Sequence, residues 1–322
     1  MKSIRPLSLA LALFASPLWA ATLPGPVVSA QWLQEHRAEV VVLDVRSDLD
    51  AFTAAPEYGT DPKTGAKVLE TLGGHIPGAR LVDFEKTRVS RMIDGKKIDK
   101  LLPSSDEVQA LMRSLGVNAG DALVITAQGE SFDEVDMAAR LYWTLKTDGH
   151  RDLALLDGGN AAWVAAGYAI STDASPQLAE GDWLARRDPA WLAEMDDVHP
   201  GRSSPLLVDA RPLQQYLGIY FKKPAVAAGG HVKGAVNFPP DVQLRPSGRA
   251  QMFMTAAQYR DVLGDIGVHP KRRVIVYCNT GHMAAGAWFV LSEIMGVKEA
   301  RLYDGSMHEW TSFGRPVVGS LD

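Results

Sequence analysis

The chain has 322 residues, which at roughly 150 residues per domain suggests two domains. Hydrophobic residues make up 46% and charged residues 22%, a globular balance that excludes disordered and low-complexity classes. With a net charge of −5 and a single cysteine, Cys278, there is no electrostatic case for nucleic acid or an anionic membrane surface, and an intrachain disulfide, a CxxC pair and a multi-cysteine metal site are excluded.

The chain starts MKSIRPLSLALALFASPLWA. Lys2 and Arg5 precede an apolar run from Leu7 to Ala15, and small residues follow at Ala20 and Ala21. This pattern reads as a secretory signal peptide over residues 1–20. The apolar run is too short to cross a bilayer, which needs about 20 residues. In a Gram-negative cell the expected destination is the periplasm, with no membrane attachment after cleavage.

Past this segment the same landmarks occur twice in the same order, about 150 residues apart. VVVLDVRS (40–47) and GGHIPGARLVDF (73–84) are echoed by PLLVDARP (205–212) and GGHVKGAVNFP (229–239). LALLDGGNAAWVAAGY (153–168) is echoed by ARLYDGSMHEWTSFGR (300–315). A polar stretch, STDASPQLAEGD (171–182), separates the halves. The expected domains are 24–175 and 190–322.

Within each half, strand and helix signals alternate. VVVLDV, LVITA, PLLVDA and RVIVYC are short β-branched apolar runs, as buried parallel strands require. SSDEVQALMRSLG (104–116) opens on a serine cap and ends at Gly116, and TAAQYRDVLGDIG (255–267) is its counterpart with Thr255 as the cap. A third helix is expected over AAGAWFVLSEIMG (284–296), ending at Gly296. The pattern predicts α/β domains, each a parallel sheet flanked by helices. Residues 52–72 are longer than a typical loop and read as a surface insertion.

Ligands in such sheets gather at the carboxyl ends of strands. Cys278 ends one strand, and Asn279, Thr280, Gly281, His282 and Met283 lead into the next helix. Converging backbone N–H groups and the positive helix end favour a thiolate there, and Gly281 permits tight curvature. A lone cysteine is otherwise most often a small buried hydrophobe, but a core position has no need of the polar NTGH sequence. The eight histidines show no HxxH or HExxH spacing, so no metal site is expected. His75 and His231 recur at equivalent glycine-rich turns and read as structural, as do the repeated pairs Asp44/Arg46 and Asp209/Arg211.

LLVDAR, GGHVKGAVNFP, VIVYCNTGHMAA and YDGSMHEW, taken in order, closely resemble the tandem-domain rhodanese-type sulfurtransferases, a secreted bacterial form of the thiosulfate/3-mercaptopyruvate sulfurtransferase family. The resemblance covers essentially the whole mature chain and implies two tandem rhodanese-like domains. The second would be catalytic and the first, whose LVITAQGESFDEVDMAAR (123–140) lacks a cysteine, a scaffold covering one side of the site. It implies a persulfide on Cys278, loaded by a small-molecule sulfur donor and unloaded by a thiol or cyanide acceptor, with no metal or organic cofactor. A protein sulfur acceptor is a further candidate partner. Asn279, Thr280, Gly281, His282, Met283, Arg211 and Gln215 would line the substrate site. Thiosulfate-using relatives carry basic residues after the cysteine and a second arginine where Gln215 stands, so weak thiosulfate binding is expected here. His282 reads either as a protonatable tuner of the sulfur or as a solvent-facing or helix-capping imidazole. A phosphatase-like oxyanion reaction needs an arginine six positions after the cysteine, where this chain has Ala284. The remaining alternative is a persulfide carrier or binding module without turnover.

Overall fold

The structure is a computed structural model and describes residues 22–201, 204–269 and 273–320. The expected signal peptide, 1–20, lies outside the described residues.

The first domain carries β1 (Val27–Val28), β2 (Val41–Arg46), β5 (Arg80–Asp83), β8 (Leu123–Thr126) and β9 (Leu153–Leu156) as one parallel sheet, ordered β1-β9-β8-β2-β5. Its other strands form antiparallel hairpins, β3 (Glu57–Thr60) with β4 (Lys67–Thr71) and β6 (Val89–Ile93) with β7 (Lys96–Leu101). The second domain repeats the arrangement with β10 (Leu192–Ala193), β11 (Leu206–Asp209), β12 (Val236–Asn237), β15 (Val274–Tyr277) and β16 (Ala300–Tyr303), ordered β10-β16-β15-β11-β12. β13 (Arg245–Ser247) and β14 (Ala250–Met252) form its hairpin.

Helices α1 (Ala30–His36), α2 (Ser105–Ser114), α3 (Phe132–Thr147) and α4 (Gly159–Ala165) belong to the first domain. α5 (Leu213–Tyr216), α6 (Ala256–Asp265), α7 (Met283–Phe289) and α8 (Ser306–Ser312) belong to the second. Ser104 and Thr255 cap α2 and α6 through full capping boxes, with Glu107 and Gln258 closing them. Each box satisfies amide donors that would otherwise be orphaned, worth about 1 kcal/mol. The helix expected over 284–296 starts at Met283, and its last turn, Val290–Ile294, widens to a π-helix. The insertion at 52–72 is the exposed hairpin β3–β4. Residues 176–188, between the two expected domains, pack on the first domain. There Gly181 N donates to Arg113 O, Trp183 N to Val117 O, and Arg187 pairs with Asp148.

The domains share one apolar core. A continuous buried cluster runs from Leu43 and Ile125 through Trp143, Trp288 and Phe289 to Val276 and Leu302. α3 and α7 meet at its centre, where Tyr142 packs edge-on against Phe289 at 4.9 Å. Each domain also reaches over the other. Asp157, in the first DG turn, accepts from Phe253 N at 2.8 Å, and Asp304, in the second, accepts from Leu102 N at 2.5 Å.

Candidate active site

Cys278 follows β15 and is fully buried. Two amides from the N-terminus of α8 hold the start of its loop, Met307 N donating to Cys278 O at 3.0 Å and His308 N to Asn279 O at 2.9 Å. The Ser306 hydroxyl ties the interior, accepting from Cys278 N and Gly281 N, both at 3.1 Å, and donating to Tyr303 O at 2.8 Å. The amides of Thr280 and Ala284 are left pointing at the sulfur. A loop built this way presents partial positive charge to whatever sulfur species occupies it.

The first domain repeats the anchoring without the thiol. Asn160 N donates to Ala127 O and Ala161 N to Gln128 O, both at 2.9 Å, so Ala127 occupies the place of Cys278. Glu134 Oε2 accepts from Glu130 N at 2.7 Å and Ser131 N at 3.1 Å, closing the capping box that starts α3. The first loop carries a methyl group where the second carries a thiol.

The structure brings most of the expected site residues together. Asn279 is buried and donates through Nδ2 to Gln215 Oε1 at 2.9 Å. Thr280, His282 and Met283 are half-buried, and Gly281 is buried with a φ of 73°, a conformation that favours glycine. Arg211 serves mainly as a structural clamp. Its guanidinium grips both oxygens of Asp209 and donates to Gly230 O at 2.8 Å, as Arg46 grips Asp44 and donates to Gly74 O at 2.7 Å. These duplicated buried pairs brace the two sheets, and removing one partner of such a pair costs about 3–5 kcal/mol. Arg211 stays within electrostatic reach of Cys278, one step removed from the loop. His75 and His231 are likewise structural, stacked on Phe52 and Tyr216 with Nδ1 2.8 Å from a main-chain carbonyl oxygen.

Two expectations are corrected. Burial pushes the Cys278 thiol up, against the opposing Ala284 and Thr280 amides, and nearby Asp209 adds to the rise. The thiolate favoured by loop geometry alone is therefore disfavoured by burial, which deprives the charged form of solvation. His282 is neither a cationic tuner nor a solvent-facing cap. Its ring packs 4.9 Å from Phe84 and its Nε2 lies 3.0 Å from Asp133 O of the first domain. Burial, with Arg88, Arg140 and Lys100 nearby, pushes its pKa down to about 3.

Sequence reasoning missed Ser306, Asp304 and Arg140. The first two sit in the repeated DG motif, which marked the position without assigning a role. Arg140, on α3, donates to Gly281 O at 3.1 Å from the opposite domain, a contact no local pattern announces. Among the described residues no group of three or more His, Cys, Asp or Glu side chains is arranged to hold a metal ion.

Comparison with known proteins gives a consistent result. The rhodanese-like domain family matches residues 29–166 and again 188–313. A sulfur carrier protein, TtuD, of Thermus thermophilus is 28% identical over 92% of this chain and 97% of its own. A thiosulfate sulfurtransferase of Pseudomonas aeruginosa is 30% identical over 82% of this chain and 92% of its own. Among solved structures, the anaerobic ergothioneine biosynthesis enzyme of Chlorobium limicola superposes with a TM-score of 0.72 over 92% of this chain and 71% of its own, at 21% identity. That last likeness is one of fold.

Proposed function

Because the chain belongs to the rhodanese-like domain family, with both of its domains matched, we propose that Cys278 is the nucleophile of a sulfurtransferase. The Cys278 thiolate attacks the sulfane sulfur of a donor. A bond forms between the two sulfurs, the donor's bond to its outer sulfur breaks, and that electron pair leaves with the donor. A thiol or cyanide acceptor then attacks the outer sulfur of the persulfide and regenerates the thiolate. The Thr280 and Ala284 amides stabilise the anion in both half-reactions.

One observation carries this reading: two loops anchored alike hold a thiol in one domain and an alanine in the other. Cys278→Ser should abolish the donor-dependent mass gain of about 32 Da expected for a covalent sulfur intermediate. Thiocyanate formed from cyanide well beyond one equivalent per chain marks an enzyme. Formation that stops at one equivalent marks the carrier alternative, the role named for the Thermus relative. Sulfur transfer retained by the serine variant rules out Cys278. The residues flanking it in the substrate site are Asn279, Thr280, Gly281, Met283 and Gln215, and the physiological acceptor is a small thiol or a thiol-bearing protein.

We also propose export to the periplasm through residues 1–20, on the strength of the charged, apolar and small-residue order of that segment. N-terminal sequencing of the mature protein tests this, and a chain still beginning at Met1 overturns it.

A further inference from the structure

Arg140 is fully buried on α3, within the domain that lacks the nucleophile. Its Nη1 donates to Gly281 O at 3.1 Å and lies 2.6 Å from Asp304 Oδ1, an ion pair not aligned as a hydrogen bond. The guanidinium lies over the Trp143 ring at 4.6 Å, and its Nε and Nη2 find no hydrogen-bond partner among the described residues. A buried guanidinium with two idle donors is costly unless the site offers it charge in another state. The contact also depends on the loop's own sequence. A Cβ on Gly281 would stand 2.5 Å from Arg140 Nη1 and 2.7 Å from Asp304 Oδ1, so only glycine lets the cation approach.

We infer that Arg140 is a positioning residue for sulfur transfer, contributed across the domain interface. It holds the Gly281 carbonyl outward, which keeps the neighbouring amides facing the sulfur, and it supplies positive charge to the loop when Cys278 or its persulfide is anionic. Arg140 has this role only if Cys278 is the sulfur-carrying nucleophile, as proposed above. The other charged and titratable groups facing the sulfur are Asp209 and Arg211 at the end of β11 and Asp136, one turn before Arg140 on α3, while Tyr277 on β15 faces Asp209 and Arg211 instead. Around the loop stand His282, Arg88, Lys100, Asp133 and Asp304. Asp136 is fully enclosed and burial keeps its carboxyl protonated well above the usual range, so Arg140 is the charged member of this face of α3.

The test is the pH dependence of Cys278 alkylation by iodoacetamide, which needs no sulfur donor. Arg140→Gln should raise the midpoint by on the order of one pH unit, and Arg140→Lys by clearly less. Asp304→Asn removes the carboxylate paired with Arg140 and should move the midpoint the other way, downward. Tyr142→Phe loosens the same interface by removing its 2.8 Å bond to Glu293 and serves as the structural control, lowering the melting temperature without moving the midpoint. A folded Arg140→Gln protein with an unchanged midpoint overturns the inference. If that variant does not fold, an unchanged or raised midpoint in Asp304→Asn overturns it instead. Failure of the wild type to form a sulfur adduct is a separate result and counts against the sulfurtransferase reading alone.

Discussion

Asn279 and Thr280 both stand where a dianionic donor would want cations, yet a substitution meets different surroundings at each. Asn279 is 2% exposed and bound to Gln215, so Asn279→Arg must bury a guanidinium in a space fitted to an amide. We expect it to lower the melting temperature by several degrees, as an unpaired buried charge should. Thr280 is only half-buried, and Thr280→Lys can keep its ammonium at the mouth. One added charge-assisted contact should lower KM for thiosulfate on the order of tenfold with kcat little changed. An unchanged KM in a donor panel of thiosulfate, 3-mercaptopyruvate and polysulfide would mean that a cation at this position does not limit thiosulfate binding. His282 makes a second prediction. With its pKa lowered from 6.5 to about 3, the folded state keeps the ring neutral while the unfolded chain takes up a proton. The stability this residue contributes is complete above about pH 6.5 and falls away as the pH drops towards 3. Melting curves between about pH 7 and pH 4 should fall more steeply for the wild type than for His282→Gln. Equal slopes would place His282 outside the buried interface.

At the scale of elements, the sequence announces what is local and hides what is tertiary. The parallel strands are legible because they are short β-branched runs buried on both faces. The helices over 105–114 and 256–265 are legible because Ser104 and Thr255 carry their capping partners three residues on. The Cys278 loop is legible for a similar reason, being a strand end, a polar tetrapeptide and a helix start in unbroken order. The hairpins β6–β7 and β13–β14 escape a reading based on hydrophobic period, since their faces are polar and they cross to the partner domain. Asp94 and Gly95, both at positive φ, do carry the Asp-Gly signal of a tight hairpin turn, so that element was recoverable in principle. The π-turn at Val290–Ile294 and the contact of Arg140 with Gly281 were not. They depend on how α3 and α7 lie against each other, and neither helix states that alone.

For the molecule as a whole, the shared core decides how it unfolds. Trp143 of the first domain donates from Nε1 to Trp191 O at 3.3 Å, and Trp191 meets Trp288 edge-on at 5.9 Å, so one apolar cluster continues between the two sheets. Calorimetry should give a single transition, with calorimetric and van't Hoff enthalpies in agreement. Two resolved peaks would mean that the domains melt independently and that the contact between α3 and α7 adds little.

The paired contacts of Asp157 with Phe253 N and Asp304 with Leu102 N reach further than stability. Each is the other's counterpart with the domains exchanged, and reciprocity of that kind defines the interface of a twofold-symmetric homodimer. A chain built this way has the form of such a pair fused end to end. Fusion frees the two copies to diverge, because a change on one side is no longer repeated on the other. The first copy could carry Ala127 in place of a thiol and devote α3 to its neighbour, which an obligate homodimer could never do at one site only.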